Sequence, residues 1–164
     1  MKPSFIIRRA VESDAESIIR FNTAMALETE HKVLPEDKIR PGVSALFRKP
    51  EYGFYLVAVS GERVVGCLMV TYEWSDWRNG LFWWIQSVYV IPEFRRSGVY
   101  RSMYNTLREL AAGTPDHCGF RLYVEKDNRT AQETYTALGM NETRYALFEE
   151  MTDRNENRDL SRQS

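Results

Sequence analysis

The sequence predicts an α/β domain, a mixed sheet with helices on both faces, and three observations predict it. Strand-like apolar runs fill Gly53–Val59, Arg63–Trp77 and Leu81–Ile91, parted only by Ser60-Gly61-Glu62 and Arg78-Asn79-Gly80, which reads as an antiparallel meander. Apolar residues at helical spacing flank this block, from Ala15 to Ala26 before it and from Val99 to Ala111 after it. The strand–helix–strand unit from Leu81 to Val124 then requires a right-handed parallel crossover.

The elements follow in order. Ser4–Arg8 is a first strand. Ser13 is placed as an N-cap with Glu16 three residues on, a capping box, and the helix it opens runs to about His31. Pro35 starts a second helical region, which Pro41-Gly42 should break into two short pieces with Val43, Leu46 and Phe47 facing inward. After the first two meander strands, Asn79-Gly80 suits a tight hairpin. A helix over Gly98–Ala112 carries Val99, Met103, Leu107, Leu110 and Ala111 on one face. Phe120–Val124 is the next strand. Asn128 opens a helix with Ala131, Tyr135 and Leu138 on one side, Gly139 ends it in a left-handed cap, and Asn141–Met151 is a last strand. The order gives a central sheet of about six to seven strands in one domain over 1–151. Residues 152–164 hold a single large apolar residue, Leu160, and read as a flexible C-terminal tail.

Composition narrows the class. The 164 residues are 43% hydrophobic and 27% charged, with a net charge of −1, which argues against a nucleic-acid or membrane-surface partner. Cys67 and Cys118 sit in apolar runs and read as reduced core residues. His31 and His117 are too few and too far apart for a zinc cluster, so no metal is expected. With no long apolar span and no signal-peptide core, the expectation is a cytoplasmic protein.

One run carries chemistry. Val88-Tyr89-Val90-Ile91-Pro92-Glu93-Phe94-Arg95-Arg96-Ser97-Gly98-Val99 is a strand, a short basic loop and a glycine that opens a helix. Such a loop aims backbone N–H groups and the positive end of a helix dipole at one point, which suits a phosphate or diphosphate. A plain strand-to-helix connection would also use one glycine here.

That run, read as Val-Tyr-Val-x-Pro-x-x-Arg-Arg-x-Gly-x, resembles the pyrophosphate loop of the GNAT superfamily of acetyl-CoA-dependent N-acetyltransferases. Asn128-x-x-Ala131-x-x-x-Tyr135-x-x-Leu138-Gly139-Met140 is similar to the family's next motif. The resemblance covers about residues 4–151. It departs at Tyr100, where the family usually has Gly or Ala; that side chain must turn aside or the phosphate must shift.

The resemblance implies direct transfer of acetyl from acetyl-CoA to a primary amine, of a small molecule or a protein, in a ternary complex. It implies that backbone N–H groups from Arg96 through Ser97, Gly98, Val99 and Tyr100 to Arg101 hold the diphosphate, with Arg95 or Arg96 adding charge-assisted bonds. It implies that backbone groups of Val88, Tyr89 and Val90, on a strand splayed from its parallel neighbour, bind the pantetheine amides and the acetyl oxygen. Asn128 would contact the pantetheine or order local backbone, and Tyr135 would protonate the departing thiolate, although the same stripe also fits a core aromatic.

The general base stays open: Glu73, Glu28, Glu30, His31 and a water chain ending at backbone carbonyls all qualify. For the acceptor, period 2 puts Trp84, Gln86, Val88 and Val90 on one face and Trp83, Ile85, Ser87 and Tyr89 on the other. Trp74 or Trp84 with Glu73 or Asp76 could form an aromatic and acidic pocket for a cation, which the resemblance implies the first helix completes with Glu28, Glu30 and His31, or the aromatics could only brace the hairpin. Exposed strands are consistent with a homodimer. The alternative in a different class is a non-catalytic acyl-CoA sensor or interaction module of the same fold.

Overall fold

A computed structural model of the chain describes residues 4–152. The chain divides after Glu125 into two compact units. The first holds β1 (Ile6–Arg9), α1 (Ala15–Glu30), α2 (Glu36–Arg48), β2 (Gly53–Ser60), β3 (Arg63–Ser75), β4 (Gly80–Val90), α3 (Val99–Ala112) and β5 (His117–Arg121). The strands form one sheet in the order β1-β2-β3-β4-β5, antiparallel as far as β4, with β5 parallel to β4. This is the predicted meander and crossover, and the mixed α/β class holds.

Two faces follow from strand alternation. Tyr55 meets Phe47 of α2, and Tyr89 stacks on Phe21 of α1 with ring centroids 5.3 Å apart, so α1 and α2 share one face. On the other face Tyr104 of α3 packs on Phe120, and a Cβ at Gly66 would lie 3.3 Å from Val99 of α3 and 3.4 Å from Val90. Leu56, Val57, Leu68 and Val70 are fully buried in the strands, with Ile18 of α1 and Met103 and Leu107 of α3.

Several expectations need correction. The cap of α1 is not Ser13: α1 starts at Ala15 behind Asp14, whose carboxylate accepts from the Val11 N–H and from Arg8, while Glu16 pairs with Arg40 of α2. Pro41 does not divide α2. The ring removes one ladder bond near the helix start, and burial of Val43 with the Phe47–Tyr55 contact offsets that loss. The hairpin turn spans Asp76–Asn79, with Asn79 at φ 46° and Ser75 paired to Gly80. Gly80 therefore serves close packing: a Cβ there would lie 2.8 Å from the Asp116 carbonyl oxygen and 2.9 Å from the Cys118 Cβ. β5 begins three residues earlier than predicted and ends at Arg121.

The largest correction lies inside β4. Pairing runs Met69↔Gln86 and then Cys67↔Tyr89, which leaves one extra residue on β4 where Ser87 takes φ 50°. This bulge reverses the alternation. Tyr89 joins Trp84 and Gln86 on the α1 face, and Val90 moves to the α3 face.

The second unit contains α4 (Arg129–Ala137), capped by the Asn128 side chain, which accepts from the Ala131 N–H at 3.1 Å. Gly139 takes φ 93° after the helix, as predicted. No strand forms over 141–151, so the described sheet has five strands rather than six or seven. Tyr145 and Leu147 alternate, but Phe148 breaks the period, and all three side chains are exposed. The expected tail lies, apart from Thr152, outside the described residues.

Candidate functional site

β4 and β5 touch along only part of their length. Their register runs from Leu81↔His117 to Trp84↔Arg121, yet β4 continues to Val90. Ile85–Val90 thus has no strand partner on that side among the described residues. Such an edge offers N–H and C=O groups to an extended, amide-containing ligand. The Val90 carbonyl is already engaged, accepting from Arg95 Nε at 2.9 Å.

β4 leads through a short 3-10 turn, Pro92–Phe94, into the loop before α3. Arg96 takes φ 63° and Gly98 φ 90°, and the Ser97 hydroxyl donates to the Phe94 carbonyl at 2.6 Å. Gly98 is the N-cap of α3, with no side-chain cap. The first-turn N–H groups of Val99, Tyr100 and Arg101 have no carbonyl within the helix to bond, and the helix dipole adds positive potential there. The Tyr100 ring is turned along the helix onto Tyr104, centroids 6.3 Å apart. Edge and helix start follow one another along the chain, the first offering groups to amides and the second N–H groups to an anion.

On the α1 face of β4, Glu28 is a meeting point. Its carboxylate accepts from the Tyr89 hydroxyl and from Arg95 Nη2, each at 2.7 Å. The Tyr89 hydrogen bond, then Arg95, holds the Glu28 carboxyl below its ordinary range; burial, then the Glu28 hydrogen bond, raises the Tyr89 phenol. Arg95 is therefore turned to Glu28. Sequence reasoning named these residues separately and missed the link, because 67 positions separate Glu28 from Arg95.

Glu73 shares that face and pairs with Arg121, which also stacks over Phe82 at 3.7 Å. Trp84 leans on Tyr123, and Gln86 donates to the Thr71 hydroxyl at 2.5 Å. Trp74 points to the opposite face of the hairpin and is largely exposed, so it does not meet Glu73 in one pocket. Asp76 instead accepts from the Trp77 N–H in the turn. Glu30 is paired with Lys32.

In the second unit, Asn128 caps α4 and Tyr135 is half-buried, its phenol raised by desolvation. Cys67 is wholly buried and its thiol is pushed up to about 12, in keeping with an inert core residue. Among the described residues no group of His, Cys, Asp and Glu could hold a metal ion, and no helix is long and apolar enough to cross a membrane.

Residues 17–140 match the model of the acetyltransferase (GNAT) family. The chain belongs to that family. Among solved structures, this GNAT protein is similar to a possible acetyltransferase from Clostridium difficile 630, with 42% identity and a TM-score of 0.84 over 90% of this chain and 97% of that one. More distant structures share the GNAT fold. A predicted acetyltransferase from Clostridium acetobutylicum with acetyl-CoA is 15% identical, with a TM-score of 0.72 over 90% of this chain and 96% of that one. AAC(6')-Iy in complex with the bisubstrate analog CoA-S-monomethyl-acetylneamine is also 15% identical, with a TM-score of 0.72 over 91% and 99%. No curated protein matches the sequence.

Proposed function

We propose that the protein is an N-acetyltransferase that moves the acetyl group of acetyl-CoA directly to a primary amine. The observation that supports it most is the parting of β4 from β5 after Trp84 on the strand that runs into the Gly98 loop. Acetyl-CoA supplies the activated thioester. Backbone groups of Val88, Tyr89 and Val90 would bind the arm and polarise the acetyl carbonyl, a fixed set of dipoles that needs no reorganisation during the reaction. The N–H groups from Arg96 to Arg101 would hold the diphosphate, with the Arg96 side chain adding charge. Asn128 orders the start of α4.

Two protons must move. An alkylammonium has a pKa of about 10.4, so presenting it neutral at pH 7 costs roughly 4–5 kcal/mol. Glu28, Glu30 and Glu73 each carry a basic partner. His31 and a water chain ending at backbone carbonyls are the routes left for the amine proton. Tyr135 would protonate the departing thiolate; its phenol is protonated at neutral pH, and burial, which raises it, makes it a weaker acid. The acceptor would approach on the α1 face, by Trp84 and Gln86.

An acceptor-panel assay that follows CoA release tests the reading. Acetyl-CoA-dependent turnover with at least one amine is expected; tight CoA binding without turnover on any amine would favour a sensor instead.

A further inference from the structure

A groove of about 940 Å³ opens between the first half of α1 and the turn that joins β2 to β3. Neither the unpaired stretch of β4 nor the loop before α3 lines it. Its walls are polar, with Ser13, Ser17, Ser60, Glu62 and three arginines set against Phe21 and Val64. Phe21 is itself nearly buried where it stacks on Tyr89, so an apolar ligand gains little here.

The charges of the groove are unequally used. Asp14 cancels Arg8, its two oxygens accepting from the guanidinium at 2.7 and 3.0 Å. Arg20 forms no ion pair among the described residues. It donates to the Ser17 hydroxyl at 3.0 Å, and Glu16, whose charge it feels, is held by Arg40. Arg63 reaches only Glu93, at 3.5 Å with both side chains more than half exposed, a pair worth little. The side chains of Glu62 and Ser13 have no partner among the described residues. Two guanidinium groups thus keep spare N–H donors, and a carboxylate and a hydroxyl keep spare acceptor positions.

We propose that this groove binds a small phosphate monoester that also carries hydroxyl groups, the phosphate on Arg20 and Arg63 and the hydroxyls on Glu62 and Ser13. The inference does not depend on the acetyltransferase reading. Two guanidinium groups suit a dianion, since each can give parallel N–H bonds and a phosphate has three oxygens to receive them. Glu62 sets the selectivity. Its charge opposes a bare anion, but a ligand whose hydroxyls donate to it turns the same carboxylate into a contact. Inorganic phosphate therefore meets attraction and repulsion together, and a hydroxyl-bearing ester offsets the repulsion.

Amide NMR of the whole chain tests this, titrated at fixed ionic strength with glycerol 3-phosphate, glucose 6-phosphate, inorganic phosphate and glucose. At about pH 7.5 the phosphates are mostly dianions. At least one ester should shift Ser13, Ser17 and Arg63 and bind about threefold or more tighter than inorganic phosphate, with glucose inert. Arg20→Ala should weaken that ester about tenfold, and Arg63→Ala about fivefold, while both spectra stay folded. Glu62→Gln should tighten inorganic phosphate about twofold and narrow the ester's advantage. No shift at these residues with either ester, shifts confined to residues 96–101, no preference for an ester over inorganic phosphate, or an unchanged affinity in Arg20→Ala would each overturn the proposal.

Discussion

Trp84 and Arg121 face each other across the last rung that β4 and β5 share. Below that rung the strands are drawn tightly together by glycines. Gly80 lies against Asp116 and Cys118, and a Cβ at Gly119 would sit 2.7 Å from the Phe82 ring. Above it they separate. The opening is thus built from close packing at one end and a missing partner at the other.

Gly80→Ala tests the tight end. Its methyl would meet the Asp116 carbonyl oxygen at 2.8 Å and the Cys118 Cβ at 2.9 Å, so β5 must move. A loss of about 1–3 kcal/mol is expected in chemical denaturation, with weaker CoA binding. An unchanged denaturation midpoint would mean the two strands are not held there.

Gly98→Ala isolates conformation from packing. No atom lies within 4 Å of a Cβ at Gly98, but its φ of +90° strains any L side chain. Stability should fall by about 1–2 kcal/mol from this strain alone, and CoA affinity should fall with it as the loop relaxes. Calorimetry and thermal unfolding on the same sample check both.

Tyr135→Phe should lower kcat by about 10²-fold or more while acetyl-CoA Kd changes little. Burial raises the phenol above its ordinary value of about 10, so the acid form persists throughout the neutral range. The alkaline limb of the natural protein's pH–rate profile should therefore not begin near neutrality because of this group. Unchanged turnover in the variant would remove Tyr135 from the reaction.

Asp14 links stability to pH. Burial tends to raise its carboxyl pKa, but bonds from Arg8 at 2.7 and 3.0 Å and from the Val11 N–H at 2.8 Å prevail and lower it. A carboxyl depressed on folding stabilises the native state above its unfolded pKa, about 3.9, and loses that contribution as pH falls through the lower folded value. Asp14→Asn should cost about 2 kcal/mol at pH 7, and the gap to the natural protein should narrow below about pH 4. Urea titrations at several pH values would expose a constant gap, which would contradict the linkage.

Local chemistry was legible in the sequence where a residue type has one conformational use. Gly98 at a left-handed N-cap, Asn128 at a helix start and Gly139 past a helix end all stand where their chemistry places them. The alternation that gives β2 and β3 their faces was equally plain. Serine carries no bulge signal, so Ser87 was invisible, and with it the true facing of Tyr89 and Val90. The Glu28–Arg95 pair depends on tertiary approach across 67 positions and leaves no local pattern. Pro41 shows the reverse case, a breaker overruled by the apolar face of the helix that contains it. Residues 141–151 have strand-like composition but no partner strand, and composition alone does not make a ladder.

Isothermal titration of the folded protein with acetyl-CoA tests the central claim most directly. One site per chain, with affinity reduced by Gly98→Ala and by Arg96→Ala, is the expected result. An absence of binding heat at several temperatures, in protein whose fold is verified, would contradict it.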